Sequence, residues 1–345
     1  MGKNQDLYER AKEIIPGGTQ LFSKRPELHL SDLWPAYYKE AKGCEIRDLD
    51  NKRYTDMSFM GDGACVLGYA DGDVDKAVKN ALDKGSMTTL NCPEEMELAE
   101  LLCEIHPWAN MVRLARTGEE AVIMAVRIAR ANTGRDGILC LSDDLADDKG
   151  QESKDVPGDL KEAAILFEYN DIEDFLKAAD ENKGKIAAVV MEPVRNHQPA
   201  KNFLEIIRER TRKEGIVLIF NEINSGWRLN LGGAHMSFDV EPDIAVFAKG
   251  MSNGYPMSAV IGSKDVMDVA KENFISSTYW TERIGPVAAI ATIKKIQKNN
   301  VCAHLIEAGK MVQDGWVKAA EKHGLKIEVA GIAPLSRFSF CYDGP

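Results

Sequence analysis

Short apolar runs alternate with amphipathic stretches through most of the chain. The runs are bounded by Gly, Pro or charged residues, which is typical of buried strands. They predict strands at residues 111–115, 138–141, 165–167, 186–191, 216–220, 244–247 and 259–261. Apolar residues at helical spacing predict helices at 171–179, 203–213 and 264–271, among others. This alternation predicts an α/β fold with a mainly parallel sheet wrapped by helices.

The two ends of the chain show different patterns. Residues 6–14 predict an amphipathic helix stopped by Pro16-Gly17-Gly18, and a hairpin is predicted around Asn51. Strand patterns at 326–330 and 338–341 indicate a smaller α+β unit. We therefore expect residues 1–60 to be the N-terminal segment of a small domain and 61–310 the large domain. Residues 311–345 would begin a C-terminal small domain that is cut short.

Composition and charge exclude several classes of protein. The chain has 345 residues, of which 44% are hydrophobic, and this is enough for a large core. A net charge of −11 argues against general nucleic-acid binding. No apolar run reaches the roughly 18 residues that a membrane span needs. The first residues lack the apolar core of a signal peptide, and the seven cysteines have no paired spacing. We therefore expect a cytoplasmic protein with reduced thiols.

Lys249 is the first candidate for chemistry, because it directly follows the apolar run at 244–247. Burying an ammonium group costs several kcal/mol or favours the neutral amine. A neutral amine is the form that makes a Schiff base. The alternative is a lysine at the end of a strand that reaches solvent.

A second candidate is Thr117-Gly118, between the strand at 111–115 and the following helix. Free backbone amides at a helix N-terminus bind anions. The alternative is an ordinary helix cap, in which Thr117 and Glu120 form a capping box. Asn221 also follows a strand. Thr117, Asn221 and Lys249 are therefore predicted at the carboxyl edge of the sheet, where ligands bind in such folds.

Several motifs together resemble class III aminotransferases of the fold-type I pyridoxal 5′-phosphate (PLP) enzymes, in the glutamate-1-semialdehyde aminomutase-like branch. The resemblance runs almost end to end and implies a seven-stranded-type sheet, with a smaller α+β domain from the two chain ends. It rests on Pro16-Gly17-Gly18-Thr19, Arg53-Tyr54-Thr55-Asp56, Thr117-Gly118-x-Glu120-Ala121, Glu192-Pro193, Phe220-x-Glu222, the Lys249 loop and Glu282-Arg283-Ile284-Gly285-Pro286.

The resemblance implies a PLP site centred on Lys249 as the Schiff-base lysine. Thr117 and the amides of Gly118 and Glu119 would hold the cofactor phosphate. Asn221 would pair with the pyridine nitrogen, and Ile223 would press one face of the ring. An aromatic residue after the strand at 138–141 would stack on the other face.

Further roles follow from the same resemblance. A threonine of the partner subunit would help to hold the phosphate; Thr281 fits the spacing best, and Thr278 is the alternative. Two subunits would share each site, which implies a homodimer. Apart from the resemblance, we expect five residues to contact the small-molecule substrate or to support the residues that do: Glu192, Glu222, Ser142, Asp143 and Asp144.

The chain departs from the family at three cofactor contacts. Asn221 stands where the family has aspartate, which stabilises a protonated pyridine ring. Glu119 stands where the family has a small residue, and its carboxylate would repel a phosphate unless it points outward. Ser142, Asp143 and Asp144 stand where the family has Tyr-His-Gly. A solvated acidic loop is favoured there over a metal site, and no metal is predicted. These changes suggest weakened or lost PLP binding.

The sequence therefore predicts a class III aminotransferase-like enzyme. Its expected reaction is PLP-dependent amino-group transfer or aminomutase chemistry on a small amino or carbonyl compound. One alternative is an enzyme on the same scaffold that works without PLP. Another is a non-catalytic, dimeric pseudoenzyme.

Overall fold

The computed structural model describes residues 2–142, 164–194 and 196–341. The helices of this part of the chain are α1 (Lys3–Ile14), α2 (Gly72–Leu82), α3 (Pro93–Ile105), α4 (Gly118–Thr133), α5 (Ile172–Glu181), α6 (Phe203–Glu214), α7 (Lys264–Met267), α8 (Ile284–Asn299) and α9 (Val301–His323). The strands are β1 (Tyr38–Lys42), β2 (Glu45–Asp48), β3 (Arg53–Thr55), β4 (Met111–Ala115), β5 (Gly137–Leu141), β6 (Ala164–Phe167), β7 (Ile186–Met191), β8 (Val217–Asn221), β9 (Ile244–Phe247), β10 (Ser258–Gly262), β11 (Ile327–Ala330) and β12 (Arg337–Phe340).

Seven strands form the central sheet in the order β4-β10-β9-β8-β7-β5-β6. Neighbouring strands from β9 to β6 pair in parallel. β10 runs antiparallel to both β9 and β4. The predicted α/β fold with a mainly parallel sheet is confirmed, and β10 is the strand that opposes the others.

β9 shows why these apolar runs become central strands. All four of its residues are buried. Ile244 and Val246 pack into a cluster with α4, whereas Ala245 and Phe247 pack into a cluster on the opposite face with α3 and α8. Successive side chains of a strand point to opposite faces, so a strand covered on both sides must be apolar throughout. Because helices hold β9 from both sides, the position of Lys249, two residues after the strand, is fixed as well.

Smaller sheets lie near the two ends of the chain. β1, β2 and β3 form an antiparallel sheet, and Asn51 in the β2–β3 connection has a φ of 63°. β11 and β12 form a two-stranded antiparallel sheet. The helix predicted at 264–271 divides into α7 and a 3-10 turn, Asp268–Lys271. Of the helices in the described ranges, none has both the length and the apolar character needed to cross a bilayer.

Candidate functional site

Three connections leave the central sheet at the same edge. β4 leads through Thr117 into α4, β8 ends at Asn221, and β9 is followed by Lys249. β8 and β9 are parallel neighbours. β10 joins β9 to β4 and is antiparallel to both, so β4 points in the same direction as β9. The structure therefore brings the three residues to the carboxyl edge of the sheet.

Lys249 has an unusual backbone conformation. It begins a 3-10 turn, Lys249–Met251, with a φ of 46°, a region that residues with a Cβ atom rarely adopt. Ala248, Gly250 and Met251 around it are buried. Core packing thus holds the turn in place. The lysine side chain retains 32% of its exposed surface, so it is neither enclosed in the core nor free in solvent.

The amine of Lys249 has two polar neighbours. Its Nζ atom donates to Oδ1 of Asn224 over 3.0 Å, and Oδ2 of Asp62 lies 3.9 Å away. The amide of Asn224 in turn donates to Oε1 of Glu192 over 2.7 Å. Glu192 is only 2% exposed. The sequence patterns do not point to Asn224 or Asp62; the one local signal is the glycine on each side of Asp62.

The start of α4 carries the predicted capping box. The Thr117 side chain accepts from the Glu120 amide, and the Glu120 carboxylate accepts from the Thr117 amide. The cap leaves the amides of Gly118 and Glu119 without partners inside the helix, because first-turn amides have none. Glu119 itself is exposed. The capping box and an anion-binding site at the amides of Gly118 and Glu119 can therefore exist together.

Ile223 contacts both the end of β8 and the start of α4. Its backbone amide donates to Oδ1 of Asn221 over 3.2 Å. A Cβ atom at Gly118 would lie 2.7 Å from Cδ1 of Ile223. The absence of a side chain at Gly118 thus lets Ile223 lie against the helix N-terminus. Since Oδ1 of Asn221 is used by the backbone, its Nδ2 group is the donor that faces elsewhere.

Thr278 and Thr281 lie in a 3-10 turn, Thr278–Thr281, and both are exposed. The Thr281 hydroxyl donates to the Thr278 carbonyl over 3.0 Å. Arg116 donates to the carbonyls of Trp280 and Glu282 over 3.0 and 2.7 Å. These bonds attach the turn to the β4–α4 connection of the same chain.

Arg228 is a buried cation next to Lys249. It is 5% exposed, and burial lowers the pKa of its guanidinium to about 10. Its Nε atom donates to the Asn224 carbonyl over 2.6 Å, and Nη2 donates to the Gly63 carbonyl. A Cβ atom at Gly63 would lie 3.0 Å from Arg228 Nη2 and 3.7 Å from Lys249 Cδ. The two cationic side chains therefore border the same glycine.

Glu222 lies in the core next to the site and is not exposed to it. It is fully buried, and its Oε1 atom accepts from the amide and from Nδ1 of His235 over 2.9 and 2.8 Å. Its Oε2 atom accepts from the Ser225 hydroxyl over 2.5 Å. His235 Nε2 accepts from the indole of Trp108 over 3.1 Å. The structure thus gives Glu222 the role of fixing the loop between Asn221 and Trp227.

His106 lies next to this buried network as a neutral imidazole, with its ring centroid 6.0 Å from that of His235. Its Nδ1 atom lies 2.9 Å from the Leu102 carbonyl, and Nε2 accepts from the Gly233 amide over 3.0 Å. One ring nitrogen therefore donates and the other accepts, which defines the neutral tautomer. Burial lowers the pKa of His106 to about 4, with a smaller contribution from His235.

We expect His106 to make the fold sensitive to acid. The unfolded chain takes up a proton near the ordinary histidine pKa of 6.5, whereas the folded chain does so only near 4. The free energy of unfolding should therefore fall between these pH values, by roughly 3 kcal/mol. Urea unfolding at pH 7 and pH 4 measures this loss. It should shrink in His106→Gln and persist in His323→Gln, which changes an exposed histidine; equal losses in both variants would contradict the assignment.

The acidic segment after β5 is described only at its first residue. Ser142 is partly buried, while Asp143 and Asp144 lie outside the described residues. Within the described ranges, no cluster of three or more histidine, cysteine or acidic side chains is arranged to hold a metal ion.

Comparison with known proteins gives a consistent result. A profile of the class-III aminotransferase family matches residues 29–144 and 151–332. The chain is 33% identical to glutamate-1-semialdehyde 2,1-aminomutase of Dechloromonas aromatica (strain RCB), over 99% of this chain and 85% of that protein. It is 30% identical to 3-aminobutyryl-CoA aminotransferase of Cloacimonas acidaminovorans (strain Evry), over 99% of this chain and 84% of the other.

Solved structures with the same fold include two at 26% sequence identity. The PLP internal aldimine form of the Sphingopyxis sp. MTA144 FumI protein superimposes with a TM-score of 0.91, covering 99% of this chain and 84% of that one. An omega-transaminase from Sphaerobacter thermophilus superimposes with a TM-score of 0.86, covering 100% and 84%.

Proposed function

Since this chain belongs to the class III aminotransferase family, we propose that it uses PLP at Lys249 for amino-group transfer or aminomutase chemistry on a small amino or carbonyl compound. The observation that carries the proposal is the meeting of three features at one sheet edge. These are the Lys249 amine, the free amides at the start of α4, and Ile223 against Gly118. The matching relatives are aminotransferases and aminomutases, which favours this function over a PLP-independent enzyme or a pseudoenzyme.

The residues at the sheet edge fit PLP. Thr117 and the amides of Gly118 and Glu119 would hold the phosphate. Ile223 offers an apolar surface for one face of the ring, in contact with that anion seat. Asn221 would donate from Nδ2 to the pyridine nitrogen, because its Oδ1 already accepts from the Ile223 amide. When bound, PLP supplies an electron sink for carbanion chemistry.

Two of the three altered contacts, at Glu119 and Asn221, are compatible with a bound cofactor. Glu119 is exposed, and an acidic side chain in a first helical turn is favoured by the helix dipole. Asn221 provides a neutral hydrogen bond where the family has a charged aspartate. The ring would therefore be held in place without the charge that stabilises a pyridinium, and we expect slower carbanion chemistry than aspartate would support.

The remaining residues orient and move protons. Lys249 is the group that would attach to the cofactor and carry protons between reacting atoms. Asn224 and Asp62 are its polar neighbours. Arg228 places a fixed positive charge beside it, behind Gly63. A carboxylate or carbonyl oxygen of a substrate would be attracted to this side of the cleft.

The test is a titration of the purified chain with PLP, followed by visible absorbance. A band from lysine-linked cofactor, then borohydride reduction and peptide mass mapping to Lys249, is the expected result. If PLP neither produces a band nor leaves a reduced adduct, the chain works without PLP or is not an enzyme.

Gly118 provides a prediction about the same contact. In Gly118→Ala the new methyl group lies within 2.7 Å of Ile223 Cδ1, so Ile223 must move away from the helix N-terminus. Overpacking of this kind costs about 1–3 kcal/mol, and we expect PLP affinity to fall by roughly tenfold or more. Absorbance titration measures this. Gly118→Ala with Ile223→Val should recover part of the affinity, since valine lacks the clashing methyl; an unchanged affinity in Gly118→Ala would refute the contact.

We further infer that two copies of the chain share each site. Large apolar side chains are exposed on the segment before Asp62 and in the turn of Thr278 and Thr281: Met57, Phe59 and Tyr279. The exposed threonines at 278 and 281 would then contact the partner's phosphate seat. The free cysteines are consistent with work in the cytoplasm.

Mixed dimers test this arrangement. Chains carrying Lys249→Ala and chains carrying Thr281→Ala should each be defective, yet together they should form one intact site per dimer. Restored PLP attachment supports sharing and selects Thr281. Restoration with Thr278→Ala instead selects Thr278. A monomer in sedimentation, or no restoration in either mixture, contradicts shared sites.

A further inference from the structure

Asn224 joins the Lys249 amine to a buried carboxylate. Its Oδ1 atom accepts from Lys249 Nζ over 3.0 Å, and its Nδ2 atom donates to Glu192 Oε1 over 2.7 Å. Its backbone carbonyl accepts from Arg228 Nε over 2.6 Å. Groups from the Lys249 turn, from the residue after β7 and from the asparagine's own loop thus converge on Asn224 and immobilise it.

The carboxylate determines which way the amide of Asn224 faces. The Lys249 amine donates to the oxygen of this amide, and a carboxyl oxygen of Glu192 accepts from its NH2 group. The NH2 end of the amide must therefore face Glu192, and the oxygen must face Lys249. The two hydrogen bonds thus determine the orientation of the Asn224 amide.

An amide oxygen that only accepts has a consequence for the lysine. Whether the amine is charged or neutral, it must direct one N–H bond at Asn224. The lone pair of the neutral amine therefore points away from Asn224. We propose that Asn224 is a positioning residue, which aims the reactive lone pair of Lys249 and transmits the charge of Glu192 to it.

The transmission has a simple physical basis. In a low-dielectric environment, neighbouring hydrogen bonds polarise one another. A carboxylate that accepts from one end of an amide makes the oxygen at the other end a stronger acceptor. Glu192, 2% exposed, thus strengthens the hydrogen bond between Lys249 and Asn224 without contacting the amine. Loss of Asn224 or Glu192 should make the Lys249 amine more reactive and leave the direction of its lone pair less defined.

Two other charged groups face the same amine. Asp62 Oδ2 lies 3.9 Å from Nζ and is 44% exposed, so water screens its effect. Arg228 borders Lys249 across Gly63 and acts in the opposite direction. Neither contacts the side chain of Asn224 through a hydrogen bond that would change when Glu192 is replaced. The path through Asn224 is therefore separable from them by mutation.

The inference rests on the proposed function only for what the amine does, and its test needs no cofactor. Trace acetic anhydride labels neutral amines, and peptide mass mapping gives the labelling of Lys249 relative to the exposed Lys79. The labelling profile is measured against pH on the native protein. Failure to bind PLP would leave this measurement intact, so the two ideas fail separately.

We expect Asn224→Ala to label Lys249 about tenfold faster at neutral pH, with the profile moved to lower pH by about one unit. Glu192→Gln should give a smaller increase, about threefold. Asn224→Asp should label more slowly than the wild type, because a carboxylate would replace the amide next to the ammonium group. Asn230→Ala should label like the wild type, since Asn230 binds Ser237 in the same loop.

The double variant decides whether Glu192 acts through Asn224. If it does, Asn224→Ala with Glu192→Gln labels about tenfold faster, like Asn224→Ala alone. An additive increase of about thirtyfold would mean that Glu192 acts independently, and it would overturn the relay. A lowered melting temperature with an unchanged labelling profile in Asn224→Ala would show a merely structural residue and would also overturn the proposal.

Discussion

Lys249→Ala should lose PLP attachment and lower amino transfer by about 10²–10⁴-fold. Attachment requires an amine at this position, and a positioned proton carrier contributes rate factors of this size. The fold should survive, because a third of the side chain is exposed and the turn around it is held by buried neighbours. Borohydride reduction followed by peptide mass mapping measures attachment. Circular dichroism checks that the fold remains.

Two further variants sharpen this result. Lys249→Arg keeps a positive charge without a reactive amine, so it should be as defective as Lys249→Ala. Lys271→Ala removes an exposed lysine that is paired with Asp268, and it should behave like the wild type. Reduced PLP on another lysine in Lys249→Ala would show that the cofactor site is elsewhere. Retained biological activity in Lys249→Arg would exclude catalysis through this amine.

Much of the fold follows from local pattern. The apolar runs that become β4, β7 and β9 were predicted with the residue bounds that the structure has. The direction of β10 could not be predicted, because alternation of strands and helices does not specify which neighbours a strand pairs with. That choice depends on β10 lying between β9 and β4, a contact between segments distant in sequence.

The site divides in the same way. The capping box at Thr117 and Glu120 is local and was predicted from spacing. The partners of Lys249 come from other elements: Asn224 from the loop after β8, and Asp62 from the glycine-rich segment before α2. Neither belongs to a motif, and only folding brings them to the amine. The roles of Thr278, Thr281 and Glu119 toward a cofactor stay predictions.

Glu222 belongs to a motif that the sequence shows, but its hydrogen-bond partners could not be predicted from the sequence. The sequence predicts that it contacts the substrate or supports the residues that do. The structure encloses it completely and gives it hydrogen bonds from His235 and Ser225, which fits a supporting role. Burial by itself would raise the pKa of this carboxyl. The hydrogen bonds from His235 and Ser225 outweigh burial and hold the pKa below its usual value. The group is therefore stabilised as an anion in the core.

Glu222→Ala should lower the free energy of unfolding by about 3–5 kcal/mol, as expected when one partner of a buried charged network is removed. The His235 amide, His235 Nδ1 and the Ser225 hydroxyl would lose their acceptor. Because the folded pKa is lowered, this stabilisation is present above the unfolded pKa of a glutamate and is lost as the pH falls through the folded one. Urea unfolding at neutral pH measures the difference, and the slope against urea should be unchanged.

The control is Glu205→Ala, which removes an exposed glutamate from α6 and should change stability by less than about 0.5 kcal/mol. The loop that Glu222 anchors also carries Asn221, Ile223 and Asn224, so Glu222→Ala should weaken PLP binding although it touches no cofactor contact directly. Equal stability of the two variants would mean that the buried network does not hold the loop. Loss of stability with unchanged PLP affinity would mean that the loop keeps its position without Glu222. Glu222 would then not support the cofactor site.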